Sequence, residues 1–270
     1  MTRPARRSLD LISLVGLPLG IGVVLFAQLL EGGHARSLWQ PTALLVVLGG
    51  TAGAVLVSYP IQAVRETLRA ISGAFAKASD DVEATVRRLV AYSFESRRRG
   101  ILALDAEVDR TGDRFLRNAL MLAVDGTDSK ALRHILEIEN AALRGTAEAP
   151  SDVLETAAGY TPTLGILGAV LGLIHVMESL NEPAKLGAGI AVAFVATVYG
   201  VGAANLVLLP LASRLRARAA AAALNREVII EGIVALQEGL NPRVIEQKLR
   251  AYLTPASTGP MAWHPSRMAS

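Results

Sequence analysis

The sequence predicts an all-α, polytopic membrane protein with four transmembrane helices and a helical cytoplasmic domain. Three observations lead there. Of the 270 residues, 51% are hydrophobic, and the mean hydropathy is +0.39, high for a soluble domain. Four apolar stretches each reach the roughly 20 residues a helix needs to cross a bilayer. Between and after them, apolar residues recur at helical spacing rather than in alternation.

The first apolar stretch, residues 9–30, has Asp10 as its only charge. Arg3, Arg6 and Arg7 precede it like the basic start of a signal peptide. The apolar run is too long for one, and no clean small-x-small cleavage site follows, so a retained anchor helix is expected. The second stretch, residues 38–59, carries no charge and is bracketed by Trp39 and Tyr59, where interface aromatics belong. Residues 61–152 are polar but patterned. "VEATVRRLVAYSFESRRRG" puts Val82, Val86, Leu89 and Val90 at helical spacing, with Asp80 and Asp81 as cap candidates. "DRFLRNALMLAVDG" offers Gly126 as a stop, and "DSKALRHILEIENAALRG" continues with Leu132, Ile135, Leu136 and Ile138.

The third and fourth stretches cover residues 156–176 and 186–209. After them, alanines 219–223 favour one long helix that Gly239 ends. Asn241 as N-cap and Pro242 at the first helical position start a last helix. The expected organisation is a transmembrane pair (1–60), a cytoplasmic helical domain (61–152), a second transmembrane pair (153–210), C-terminal cytoplasmic helices (211–253) and a flexible tail (254–270). Basic residues cluster before the first stretch, in 61–152, and at Arg214, Arg216 and Arg218, while each short loop has one. The positive-inside rule then places both termini and the long segment in the cytoplasm.

The chain lacks cysteine, which excludes disulfides, thiolate metal sites and cysteine nucleophiles. No phosphate loop, metal-ligand cluster or nucleophile–base pair is present, so neither an enzyme nor a cofactor is expected. The net charge of +3 needs no nucleic acid to explain it. A secondary transporter would show internal repeats around a polar midplane site, and neither is visible.

Small residues recur along the third stretch (Pro162, Gly165, Ala169, Gly172, continued by His175) and the fourth (Gly189, Ala193, Ala196, Gly200, Ala203). Such stripes let membrane helices approach closely, either as plain bundle packing or as a face for another helix. Pro162 removes a backbone donor, and Thr161 and Thr163 are candidates to satisfy the freed carbonyl. Pro210 marks a span boundary or a hinge. No Asp or Glu lies mid-span: Asp10, Asp152 and Glu155 sit at cytoplasmic edges and Glu178 at the outer edge. His175, near the outer end, is the one ionisable candidate for a proton relay. Thr197, Tyr199 and Asn205 are the polar groups of the fourth stretch.

"TPTLGILGAVLGLIHVM", "AVAFVATVYGVGAANLVLLPLASRL", "LNREVIIEGIVALQEGLNPRVIEQKLRAYL" and "RRRGILALDAEVD" together resemble the MotA/PomA flagellar stator subunits of the MotA/TolQ/ExbB group. The resemblance covers roughly residues 8–253. It implies a multi-pass protein of the bacterial inner membrane. Five copies would surround two MotB-like single-span subunits, whose aspartate passes the ion and whose periplasmic domain binds peptidoglycan. The rotor switch protein FliG would be pushed from the cytoplasm. By the same resemblance Pro162 and Pro210 couple ion flow to movement, and Thr197 faces the pore. Arg97 and Asp105 meet the rotor, with Arg98 and Glu107 close by, although an ordinary solvated helix face is the alternative. Gly159 stands where many members have aspartate. Ala169 stands where sodium-driven members usually have threonine; with His175 it points to protons, with a sodium-driven PomA-type stator as the alternative. A TolQ/ExbB-like energiser of envelope transport is the other family reading, disfavoured by four spans and an inward N-terminus.

Overall fold

The structure is a computed structural model and describes residues 11–33, 35–75, 82–178, 180–181 and 183–253, with side chains at 11–14, 35, 183–185 and 188 excepted. Arg3, Arg6, Arg7, Asp10, the cap candidates Asp80 and Asp81, and the tail 254–270 lie outside the described residues. In chain order the helices are α1 (Leu11–Leu30), α2 (Pro41–Ser58), α3 (Ile61–Gly73), α4 (Val82–Arg99), α5 (Asp105–Arg110), α6 (Arg114–Val124), α7 (Ser129–Glu178), α8 (Pro183–Gly202), α9 (Leu209–Gln237) and α10 (Pro242–Arg250). A π turn, Leu45–Gly49, lies within α2, and another, Ala203–Leu208, joins α8 to α9. No strand occurs among the described residues.

Among the described residues, three helices are long and apolar enough to cross a membrane: Pro41–Ser58, Ser129–Glu178 and the continuous run Gly189–Gln237. The apolar part of α1 with described side chains, Val15–Leu30, is shorter than these. In each of the three, no more than 33% of the most apolar stretch is buried. Most of that surface is therefore left for lipid or other chains.

The chain divides into two compact units, Met1–Ser79 with Ala142–Ala221 and Asp80–Ala141 with Ala222–Ser270. In the first, Ala43 and Val47 of α2 pack on Val195 and Ala196 of α8, and a separate patch holds Ala74, Leu154, Leu211, Ala212 and Leu215. Tyr59 ends α2 and bonds the Thr156 hydroxyl at 2.8 Å, while Val55 packs on Val153 and Ala157. The second unit has a conventional core of large aliphatics, including Leu89, Leu116, Leu120, Leu136, Ile233 and Leu249.

Of the caps and stops read from sequence, those at Asn241, Gly239 and Gly126 are present. Asn241 accepts from Arg243 N at 3.0 Å, with Pro242 beginning α10. Gly239 ends α9 at φ 69°, where Leu240 N returns to Ala235 O at 3.1 Å in a Schellman closure. Gly126 stops α6 in the same way, at φ 78°. Asp113 caps α6 by accepting from Phe115 N at 2.9 Å and Leu116 N at 3.3 Å.

Two expectations change. The patterned segment ending near Gly145 and the third apolar stretch form one 50-residue helix, with Pro150 and Pro162 inside it. A proline removes one ladder bond without ending a helix whose flanking turns are packed; next to Pro150, Ser151 is fully buried and bonds Glu148 O at 2.6 Å. Of the expected stripe at its start, Leu132 and Leu136 are buried, whereas Ile135 and Ile138 are 42% and 57% exposed. At about 100° per residue, Leu136 lies about 40° around the helix from Leu132, Ile135 about 60° the other way and Ile138 about 120°.

Candidate functional site

α7 and α8 meet along a seam of glycine and alanine. A Cβ on Gly200 would lie 2.9 Å from both Gly165 Cα and Thr161 O. One on Gly172 would lie 2.9 Å from Ala193 N, and one on Gly168 2.8 Å from Ala196 Cβ. Real Cβ atoms do not come this close, so the backbones touch because side chains are missing. The small-residue stripes of the two spans therefore serve each other within one chain.

The seam has two flanks. α2 covers one: Val46 lies near Gly168, Leu164 packs over Gly50, and the Thr51 and Thr161 hydroxyls sit 3.4 Å apart, both buried. Tyr199 also fastens α8 on this side, donating to Leu38 O and accepting from Gln40 N at 3.3 Å. At about 100° per residue, Pro162 and Ala169 of α7 and Thr197 of α8 lie on the opposite flank. All three are half-buried. Their neighbours there are exposed and apolar: Ile166 at 60% and Phe194 at 71%.

His175 does not continue the Pro162–Ala169 face. It lies roughly 140° around the helix from Pro162, on the α2 flank, where it borders a cavity of about 420 Å³ with Gln40, Thr42 and Gly172. Its side chain is exposed and sits 3.9 Å from Glu178. Neither expected hydroxyl reaches the carbonyl freed by Pro162, that of Ala158. Thr161 donates to Ala157 O at 2.5 Å and Thr163 to Tyr160 O at 2.7 Å. Thr197 donates within its own helix, to Ala193 O at 3.4 Å. Pro210 is exposed, just past the π turn. There is no Asp, Glu, Lys or Arg between 156 and 176 or between 186 and 209. At one edge, Arg216 joins Asp152 and Glu155, each at 2.9 Å.

In the second unit, Gly100 at φ 82° turns the chain from α4 into a 3-10 turn, Ile101–Leu104, pinned by buried Leu104. That turn presents the charged corner. Arg98 and Asp105 are exposed and make no ion pair among the described residues. Arg97 is exposed but donates to Gly239 O at 3.2 Å, across the glycine that ends α9. Glu107 is half-buried, paired with Arg110 at 2.9 Å and reached by the Tyr92 hydroxyl at 3.4 Å. Burial first, and the Glu107 carboxylate second, push the Tyr92 phenol above its usual pKa. The four expected charges thus divide into two free ones and two with structural partners.

Sequence reasoning missed a charge cluster inside this unit. Glu231 of α9 receives Arg133 of α7 in a bidentate pair and Lys248 of α10 at 2.5 Å. The Arg133 hydrogen bonds, then those of Lys248, hold the Glu231 carboxyl down at about 2, against a burial effect that opposes them. Spacings of 98 and 17 residues leave no local signal for it.

Residues 107–228 match the MotA/TolQ/ExbB proton channel family, and residues 14–96 match the motility protein A N-terminal family. Motility protein A of Bacillus subtilis (strain 168) is 33% identical over 249 residues, covering 91% of each chain. The chain belongs to the MotA/TolQ/ExbB family, on its motility protein A branch. Among solved structures, that of C. jejuni MotAB superposes with a TM-score of 0.87 at 28% identity, covering 93% of this chain and 98% of that one. The flagellar MotAB stator complex of Bacillus subtilis superposes with a TM-score of 0.84 at 33% identity, covering 91% and 96%.

Proposed function

We propose that this chain is the ion-conducting A-type stator subunit of a bacterial flagellar motor, coupling proton flow to torque. The observation that carries the reading is the free flank of the α7–α8 seam. Pro162, Ala169 and Thr197 converge there, half-buried, beside exposed apolar side chains and without one acidic group. A proton path across lipid needs an ionisable group. The missing carboxylate is supplied by a MotB-like single-span partner whose helix lies along this flank, as the paired names of the similar complexes suggest. Ala169 offers no oxygen to a dehydrated Na⁺, and the Thr197 hydroxyl is turned to its own helix; both favour protons.

In this reading α1 is the fourth span, both termini face the cytoplasm of a bacterium, and the chain sits in the inner membrane as a pentamer around the partner. Arg98 and Asp105, the two free charges, make the reversible contact with FliG, since exposed charges of both signs tune encounter more than affinity. Arg97 contributes through the corner it braces. Pro210, next to the π turn, is the hinge at the base of the span that α8 forms.

The test is Pro162→Ala. Restoring the backbone donor straightens the turn at the free flank. Swimming speed should fall at least tenfold while the variant still copurifies with its partner subunit. Wild-type swimming would remove the coupling role from Pro162.

A further inference from the structure

We infer that α3 is a lipid-binding helix whose exposed face holds anionic phospholipid headgroups at the membrane surface through Arg65 and Arg69. This goes beyond the motor reading and depends only on α2 being a membrane span.

α3 begins just after α2 ends, with Tyr59 and Pro60 between them. Its inner face is fully engaged. Ala63 and Val64 pack on Val153 and Ala157, and Ala70 and Ile71 pack on Leu154, Leu211 and Leu215. Both ends are fastened as well. Tyr59 is tied to Thr156 at 2.8 Å. Arg214 donates to Ala74 O at 2.7 Å, with its guanidinium 5.5 Å over the Phe75 ring, and Arg218 donates to Gly73 O. The helix cannot roll, so its outer face is fixed outward.

That outer face is split lengthwise. At about 100° per residue, Leu68 and Ile61 form one edge, Arg65 and Arg69 the next, and Glu66 the far side. Leu68 is 63% exposed and Ile61 52%. Four residues before Ile61, at the end of α2, Val57 is 90% exposed. In the same unit, exposed Arg144 is paired with Glu148, and exposed Arg216 with Asp152 and Glu155. Arg65 and Arg69 are exposed and make no ion pair among the described residues.

An apolar edge beside a basic edge, continuous with a membrane span, is the pattern of a helix at the lipid interface. The apolar edge reaches the acyl chains, and the two guanidiniums meet phosphates, to which their planar donor forks are suited. A protein partner would need a long acidic ridge continuous with a lipid-facing surface, which fits less well.

The absence of cysteine from the chain permits a direct test. The full-length Leu68→Cys protein, labelled with a fluorophore, is reconstituted in vesicles of mixed phosphatidylglycerol and phosphatidylcholine, with one or the other lipid brominated. Both brominated lipids should quench the label, the anionic one at least about fivefold more efficiently, since one basic residue near an anionic surface is worth about that factor. Arg65→Gln with Arg69→Gln should bring the ratio close to one without abolishing quenching, and the paired lysine variants should keep most of it. Equal quenching in the parent, or a ratio unchanged by the glutamines, would overturn the inference. So would a label that neither lipid reaches, whether aqueous iodide reaches it (solvent) or not (a second copy or another protein). The assay reads neither ion flux nor torque, so the motor reading stands or falls separately.

Discussion

The two compact units are both helical, yet they close their interiors by opposite means. The membrane-associated unit brings α7 and α8 into backbone contact by omitting side chains at Gly165, Gly172 and Gly200. The other unit fills its centre with leucine and isoleucine at positions such as 89, 116, 120, 229 and 233. In lipid, burying a large apolar side chain gains little, because the tails outside are as apolar as the core. Van der Waals fit between close backbones has to hold helices together. In water, removing apolar surface is the dominant favourable term. Mutations that exchange the two strategies should therefore fail in different ways.

The largest effect is expected at the seam. Gly200→Val puts atoms where Gly165 Cα and Thr161 O already stand 2.9 Å from a bare Cβ. Both obstacles are backbone, so no side chain can rotate away, and overpacking of this kind costs several times what a flexible neighbour would. Loss of motility and of the assembled complex on size-exclusion chromatography is expected. Gly232 in the other unit makes a useful contrast, because its nearest obstacle is a Leu89 methyl at 2.7 Å, the movable end of a side chain. An assembled, motile Gly200→Val protein would show that the seam is looser than its geometry.

Next comes the aliphatic core. Leu120→Ala empties a fully buried site and should cost about 2–5 kcal/mol, the usual range for such truncations. Thermal unfolding of the full chain in detergent should register it as a lower transition. The same truncation at Leu173, 50% exposed on α7, should leave that transition unmoved.

These two strategies also explain what was legible beforehand. Spans, caps and helix stops follow from local rules, so Asn241, Pro242, Gly239 and Gly126 end or begin helices as their residue types require. Periodicity gave the faces of α4 and of Leu132–Leu136, but it could not say which neighbour covers a face. The stripe through Gly165 and Gly172 was readable as a contact surface, while its occupant, α8 of the same chain, was not. His175 was separable from Pro162 and Ala169 by counting about 100° per residue along the sequence; what it faces instead takes the position of α2. Arg97 illustrates the limit on charges: its bond to Gly239 O spans 142 residues, and nothing near either residue announces it.

A smaller effect separates the units by pH. Glu231 has a folded pKa of about 2 against an ordinary 4.5. A depressed carboxylate adds stability that is fully present above the unfolded value and is lost as pH falls through the folded one. The loss should therefore run from about pH 4.5 down to about pH 2. Solvent reaches part of the cluster, so the contribution is discounted to about 1–2 kcal/mol. Glu231→Gln should flatten that portion of the stability curve in the unit with the aliphatic core. A curve of the same shape in the variant would place the acid sensitivity elsewhere.

The finest distinction concerns helix ends. In the aliphatic unit, α10 has nine residues and cannot persist alone, since isolated helices that short are marginal in water. Its hold depends on Ile245 and Leu249, both fully buried, and on the Asn241 cap. Asn241→Ala removes the acceptor for Arg243 N and should cost about 1 kcal/mol. Hydrogen exchange should detect this as faster exchange in the first turn of α10, with protection around Leu249 retained, because the cap acts on the end while burial acts on the body. The helices of the seam behave differently. α8 leaves its last turns to a π segment that passes directly into α9, so it has no end there to cap. If Asn241→Ala freed the whole of α10 at once, end and body would be one cooperative element, and side-chain burial in this unit would depend on its caps more than the core alone implies.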